Sequence, residues 1–158
     1  MKIPTLAFGL LCTATFAGAP LASEQTDPAF VSAAEGLAVA NQPVQRWYSF
    51  QHVVNGGRVF QQHCAACHGK LGEGALNWQQ VGADGKYPAP PLNGTGHAWH
   101  HPLKALFYVI KNGSPGGQGS MPGWRDKISD DDIVSVIAWF QSKWTDQIYA
   151  AWRQREGG

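Results

Sequence analysis

The feature that most constrains this chain is the string Cys64-Ala65-Ala66-Cys67-His68, a C-x-x-C-H motif within 158 residues. On a helix, residues three apart lie on one side, so both thiols can reach the two vinyl groups of one porphyrin. The next residue, His68, can then turn its imidazole onto the iron. This is the spacing of haem c attachment, and it predicts one covalently bound haem c as the cofactor.

Three other interpretations of the two thiols stay open. Zinc is the main rival, because the C-x2-C pair is followed by an H-x3-H pair, His97 and His101. A redox dithiol would need a strand before its helix, and residues 47–54 are a poor candidate for one. A structural disulfide between Cys64 and Cys67 would leave the long loops of the chain unexplained.

The sixth position of a haem iron needs a ligand opposite the histidine, and Met121 is the only methionine besides Met1. It lies in the stretch GSMPGW at residues 119–124, where the glycines let the backbone approach a flat ring. A thioether ligand stabilises ferrous iron and raises the potential. We therefore predict His68 and Met121 as axial ligands; packing in the core is the other interpretation of Met121.

With both axial positions filled, oxygen or peroxide has no place to bind. The pattern therefore predicts electron transfer and not an enzyme. The alternative is a haem enzyme or gas sensor, or a haem c subunit of a larger complex, in which Met121 leaves the iron and a small ligand enters.

The first 23 residues have the pattern of a secretory signal peptide. Lys2 is their only charge, Leu6 to Ala19 is apolar, and small residues follow where cleavage would occur. Export suits the motif, because haem c is attached outside the cytoplasm. We therefore predict a periplasmic protein, with membrane anchoring as a minor alternative. No apolar run reaches ~18 residues, so we expect no membrane span in the mature chain.

Helical periodicity predicts an all-α fold. Three segments carry apolar residues at helical spacing: one from a cap at Asn55 to Gly69, one from Pro102 to Gly113, and one from Ser129 to Trp144. Between them run glycine-rich loops, residues 70–96 and 114–123, and no segment alternates with period two. Three to five short helices joined by such loops bury too little apolar surface to offset the ordering of the loops. A large apolar group should therefore fill the middle.

The predicted organisation has four parts. They are a signal peptide at 1–23, an N-terminal extension at 24–50, a haem domain at 51–145 and a helical tail at 146–158 that packs on the domain. The chain has 12 basic and 11 acidic residues, so its charge gives no case for binding nucleic acid.

Over residues 55–144 the chain resembles the class I cytochromes c. Gly56 and Phe60 stand eight and four residues before the first cysteine, as in the first helix of that family. Val136 and Trp139 stand where the last helix of the family crosses the first, although a tyrosine or another aromatic is usual at the position of Trp139. The resemblance is to small bacterial periplasmic monohaem members and implies a cytochrome c fold. It also implies an electron carrier between a donor and an acceptor protein.

The string Pro90-Pro91-Leu92 resembles the Pro-x-Leu stretch of the family. The resemblance implies that the carbonyl group of Pro90 accepts a hydrogen bond from the ring N–H of His68 and so fixes its tautomer. A plain turn is the other interpretation.

Several side chains have no single interpretation. The histidines at 97, 100 and 101 could bind copper or zinc, act as alternative iron ligands, or cap backbone groups. Trp99, Trp124 and Arg58 could each donate to a haem propionate, or pack against the ring edge.

Overall fold

The computed structural model describes residues 44–156. The predicted signal peptide at 1–23 and most of the predicted extension at 24–50 lie outside these residues. The described part contains five α-helices and no strand, which confirms the all-α class. They are α1 Phe50–His63, α2 Ala65–His68, α3 Leu103–Asn112, α4 Asp130–Gln141 and α5 Asp146–Glu156. None of the described helices is long and apolar enough to cross a bilayer.

The first helix begins at Phe50, so the predicted cap at Asn55 is wrong. Ser49 caps α1: its hydroxyl accepts the backbone N–H of His52, and the backbone N–H of Ser49 donates to the His52 ring. This is a capping box in which histidine stands where Glu or Gln is usual. Asn55 lies within α1, and its amide donates to the carboxylate of Asp132 at 3.1 Å.

The close contact between α1 and α4 forms the centre of the fold. A Cβ added at Gly56 would lie 1.8 Å from the carbonyl oxygen of Ser135, so only glycine permits this approach. One turn further on, the rings of Phe60 and Trp139 stack with their centroids 4.1 Å apart. The resemblance implied this crossing of the first and last helices of the family.

The predicted ends of the other helices are close to those observed. Ser129 caps α4, accepting the backbone N–H of Asp132. The apolar residues at helical spacing in that segment are buried: Ile133, Val136, Ile137, Phe140 and Trp144. Helix α3 follows Pro102 and ends before Gly113. Its Leu106 and Ile110 are buried, and its Leu103 and Phe107 are partly buried against the same core.

The last helix packs its aromatic side chains into the same core. Tyr149 and Trp152 are 0% and 1% exposed. The backbone N–H of Trp47 donates to the Tyr149 hydroxyl at 2.9 Å. Arg46 pairs with Asp146 at 2.6 Å and lies 4.0 Å above the Tyr149 ring. Residues 146–156 therefore form a helix whose aromatic side chains pack into the core.

Candidate haem site

A cavity of about 620 Å³ lies between α1, α3 and the two glycine-rich loops. Cofactor sites in proteins commonly enclose 300–1,000 Å³. The walls are mainly apolar, as a porphyrin face requires, and the side chains from the helices include Phe60, Ala105, Leu106, Val109, Ile110, Val136 and Phe140. The size and the wall chemistry fit a haem.

Both cysteines of the motif line this cavity. Helix α1 ends at His63, Cys64 connects it to α2, and the helix resumes at Ala65. The predicted helix from Asn55 to Gly69 is thus interrupted at Cys64, and both thiols still lie on the same wall. Burial raises the pKa of the Cys64 thiol to about 11, and the neighbouring Cys67 adds to that rise.

The arrangement does not favour zinc. A zinc site needs three or four Cys, His or carboxylate ligands in tetrahedral reach of one point. Within residues 44–156, no group of three or more such side chains is placed to share a metal ion. The thiols at positions 64 and 67 are free, so the disulfide interpretation is not supported either.

The imidazole of His68 is buried, with 6% of the residue exposed, and one of its two ring nitrogens is hydrogen-bonded. Its Nδ1 donates to the carbonyl oxygen of Pro90 at 2.9 Å. Burial lowers the pKa of His68, and the bond to Pro90 offsets part of that shift. Burial thus favours the neutral ring, and with Nδ1 bonded to Pro90 the ring has Nε2 available for a metal.

Met121 lies on the wall formed by the second glycine-rich loop. The backbone N–H of Met121 donates to the Ser114 hydroxyl at 3.3 Å, and the Ser114 N–H donates to the Met121 carbonyl at 3.0 Å. The next turn is fixed by the Trp124 N–H, which donates to the Ile110 carbonyl at the end of α3. The backbone of Met121 is therefore fixed by hydrogen bonds to Ser114, and the turn that follows it is fixed by the bond to Ile110.

All the predicted site residues border the same cavity: Cys64, Cys67, His68, Pro90 and Met121. Trp124 borders it as well. Arg58 does not; its guanidinium donates to Asn55 and Gln62 on the surface of α1.

The histidines at 97, 100 and 101 divide into two groups. His97 and His101 line the cavity, and His100 does not. The ring of Trp99 lies beside His100 and below the guanidinium of Arg155, 4.8 Å from it, and does not line the cavity.

Sequence reasoning missed two tryptophans that support the site. Trp144 donates its indole N–H to the carbonyl oxygen of Leu92 at 2.8 Å, and Trp152 donates to that of His101 at 3.0 Å. Each partner is about fifty positions away in sequence. No local pattern could have revealed either contact.

Comparison with known proteins shows which family the chain resembles. Residues 51–140 match the family described as "Cytochrome C oxidase, cbb3-type, subunit III". Cytochrome c6 of Leptolyngbya boryana is 33% identical over 88 residues, which are 56% of this chain and 88% of that protein. Cytochrome c6 of Cladophora glomerata is 31% identical over 86 residues, or 53% of this chain and 80% of that protein.

Two further proteins match this chain over very different shares of their own length. The cbb3-type cytochrome c oxidase subunit CcoP of Azospirillum sp. (strain B510) is 33% identical over 87 residues. These are 55% of this chain but only 27% of that much longer protein. The crystal structure of cytochrome cL from Methylophaga aminisulfidivorans covers 86% of this chain and 82% of its own, at 19% identity and a TM-score of 0.50. That last likeness concerns the fold alone.

Proposed function

We propose that this chain, which belongs to the c-type cytochromes of the cbb3-type subunit III family and carries one haem c, transfers single electrons with His68 and Met121 as axial ligands. When bound, the haem supplies the one-electron couple between ferric and ferrous iron. The observation that carries the proposal is the common position of both thiols, the buried imidazole and the thioether on one cavity.

The side chains have distinct roles in this proposal. Cys64 and Cys67 hold the cofactor by thioether bonds. His68 binds through Nε2 as a neutral imidazole, and Pro90 keeps that tautomer by accepting the Nδ1 proton. Met121 supplies a sulfur ligand, which favours the ferrous state.

The proposal extends to partners and location. If His68 and Met121 both bound the iron, they would leave no coordination position for a substrate. The protein is then a carrier and not an enzyme, and it exchanges electrons with a donor and an acceptor protein. We place it in the periplasm, because residues 1–23 have the pattern of an export signal.

The test is to produce the protein in a host that matures haem c. We expect pigment that stays with the polypeptide after acid-acetone extraction, and a sharp reduced-state α band. A colourless product with the mass of the bare polypeptide would refute haem attachment.

The ligation is tested with Met121→Ala, with Ser120→Ala as the control, because Ser120 lines the same cavity one residue away. Met121→Ala should lose the weak sulfur-to-iron charge-transfer band and show a lower potential, and the control should keep both. Rapid carbon monoxide binding to the reduced wild type would instead support the alternative of a displaceable ligand.

A further inference from the structure

The loop that carries Met121 is closed at its base by a single serine. The N–H of Ser114 donates to the carbonyl oxygen of Met121 at 3.0 Å, and its hydroxyl accepts the N–H of Met121 at 3.3 Å. A Cβ at Gly119 would lie 2.6 Å from the hydroxyl oxygen of Ser114, so this hydroxyl also packs against the backbone inside the loop. Residues 114–121, called the ligand loop below, therefore form a closed turn with Ser114 at its base.

The tip of the ligand loop is bonded to the first glycine-rich loop, residues 70–96. The backbone N–H of Tyr87 donates to the carbonyl oxygen of Gln118 at 2.8 Å. Tyr87 also pairs with Gly119 in an isolated parallel β-bridge. Tyr87, Gln118 and Gly119 all border the cavity. The two loops are thus joined by their backbones along one wall of the cavity.

The tip itself is built from glycines with open space around them. Gly116 and Gly117 have φ angles of +61° and +69°, and a Cβ at either would meet no atom within 4 Å. Glycine loses more conformational freedom on ordering than any other residue. A tip of this composition needs a contact from elsewhere to keep one position, and the pairing with Tyr87 supplies it.

The chain on either side of the ligand loop is packed against the end of α3. A Cβ at Gly113 would lie 2.9 Å from the carbonyl oxygen of Met121. A Cβ at Gly123 would lie 3.0 Å from the carbonyl carbon of Asn112, the last residue of α3. These contacts leave the flanks little room to move. A displacement of Met121 therefore has to begin within residues 114–121.

We infer that Ser114 and Tyr87 are positioning residues for Met121, which hold the ligand loop at its base and at its tip so that the thioether leaves the iron only when both contacts open. This inference rests on the proposed function, because it requires Met121 to be an iron ligand. It goes further, because it gives the first loop a part in retaining a ligand that the second loop carries.

The expected size of the effect follows from the energetics of local opening. A segment opens with a free energy set by the contacts that the opening breaks. The loss of one typical hydrogen bond raises the population of the open form about two- to tenfold. Carbon monoxide binds only iron from which the thioether has left, so its rate of binding follows that open population.

The first loop provides an internal reference for the measurement. Just before Tyr87 the chain makes a turn of its own, in which the N–H of Gly82 donates to the carbonyl oxygen of Lys86 at 2.8 Å. The N–H of Lys86 in turn donates to the Asp84 carboxylate at 3.1 Å. The amide of Gly82 therefore reports on the first loop alone, and the amide of Tyr87 reports on its contact with the ligand loop.

The first test uses the haem-loaded wild type, with amide hydrogen exchange measured by NMR in both oxidation states. A thioether ligand favours ferrous iron, so the ligand loop should open less often in the reduced protein. We expect the amides of Met121 and Tyr87 to exchange more slowly in the ferrous than in the ferric protein, and the amide of Gly82 to exchange equally in both. A Tyr87 amide that does not respond to the oxidation state would overturn the inference.

The second test is Ser114→Ala, which removes the hydroxyl that accepts the Met121 N–H. The reduced variant should bind carbon monoxide about two- to tenfold faster than the wild type. The amide of Tyr87, which donates to Gln118 and not to Ser114, should also exchange faster. Ser114→Thr keeps a hydroxyl and should restore both values. Ser142→Ala is the matched control, because its hydroxyl donates to a backbone carbonyl at 2.7 Å outside the ligand loop, and it should change neither value.

The outcomes separate this inference from the proposed function. A Ser114→Ala variant with wild-type carbon monoxide binding would overturn the inference and leave the electron carrier intact. Faster exchange at Met121 without any change at Tyr87 would overturn the part assigned to the first loop. If Ser114→Ala binds no haem, the comparison of the two oxidation states of the wild type decides. If Met121→Ala keeps the sulfur-to-iron band, the proposed ligation fails first.

Discussion

Nδ1 of His68 and the carbonyl oxygen of Pro90 lie 2.9 Å apart, and the backbone behind that carbonyl is packed against Gly74. A Cβ at Gly74 would lie 2.4 Å from the nitrogen of Pro91 and 2.6 Å from the carbonyl carbon of Pro90. Gly74 also has a φ of +71°, where side chains are disfavoured. This glycine therefore sets how closely the carbonyl approaches the imidazole.

Gly74→Ala should push the Pro90 carbonyl away from His68 and weaken their hydrogen bond. A weaker acceptor makes the imidazole a poorer electron donor to iron, so the midpoint potential should rise. The ring N–H should also exchange faster with solvent in NMR spectra. Gly85→Ala is the matched control, because Gly85 has a φ of +75° in the same loop and no atom within 4 Å of the added Cβ. Equal shifts in both variants would contradict this role.

Gly56→Ala should destabilise the protein, although alanine usually favours a helix interior over glycine by about 0.5–1 kcal/mol. The added methyl would lie 1.8 Å from the Ser135 carbonyl, and the helices must separate to admit it. We expect a loss of about 1–3 kcal/mol or more in the free energy of unfolding, measured in urea. Val54→Ala, at an exposed position of the same helix, should change it little. A stabilised Gly56→Ala would rule out this packing.

Trp152→Phe should leave the His101 carbonyl without its indole donor while keeping an aromatic ring in the core. Removing one partner of a buried hydrogen bond costs about 1–3 kcal/mol. The loss should appear in the free energy of unfolding and as faster hydrogen exchange around residues 98–101. Trp99→Phe, at a half-buried tryptophan of the neighbouring turn, provides the comparison. If the two variants are equally stable, the bond to His101 contributes nothing.

The acid sensitivity of α4 should depend on Asp132. Hydrogen bonds from Ser129 and then from Asn55 lower the pKa of this carboxyl. A carboxyl whose pKa is lower in the folded state stabilises the fold above its unfolded pKa of about 4. That contribution is lost as pH falls through the lower, folded value. Asp132→Asn should therefore flatten the loss of stability below about pH 4, measured by urea unfolding at several pH values. Asp131→Asn, one residue away in the same turn, should retain the wild-type decline.

Helix ends were predictable where a local signal existed. Ser129 and Asp132 form a capping box, and this pattern predicted the start of α4. Gly113, a typical residue after a helix, predicted the end of α3. The start of α1 was missed because its capping partner is a histidine, His52, and not the expected acid or amide. Asn55 carries a good capping side chain but uses it for a contact between helices, which only the tertiary structure reveals.

The residues of the site also divide into those that a local sequence pattern predicts and those that only the tertiary structure reveals. The thiols and His68 belong to one short motif, so the sequence alone assigned their chemistry. Pro90 required a family resemblance, because a proline in a loop has no signature of its own as an acceptor. The two indole donors could not be foreseen, because each acts on a backbone carbonyl far away in the chain.

The junction of Arg46 with Asp146 and Tyr149 links the start of the described chain to its last helix. The backbone N–H of Trp47 adds to this junction by donating to the Tyr149 hydroxyl. Trp152 lies three residues beyond Tyr149 on α5 and donates to the His101 carbonyl, so one helix anchors both the segment ahead of α1 and a part of the cavity wall.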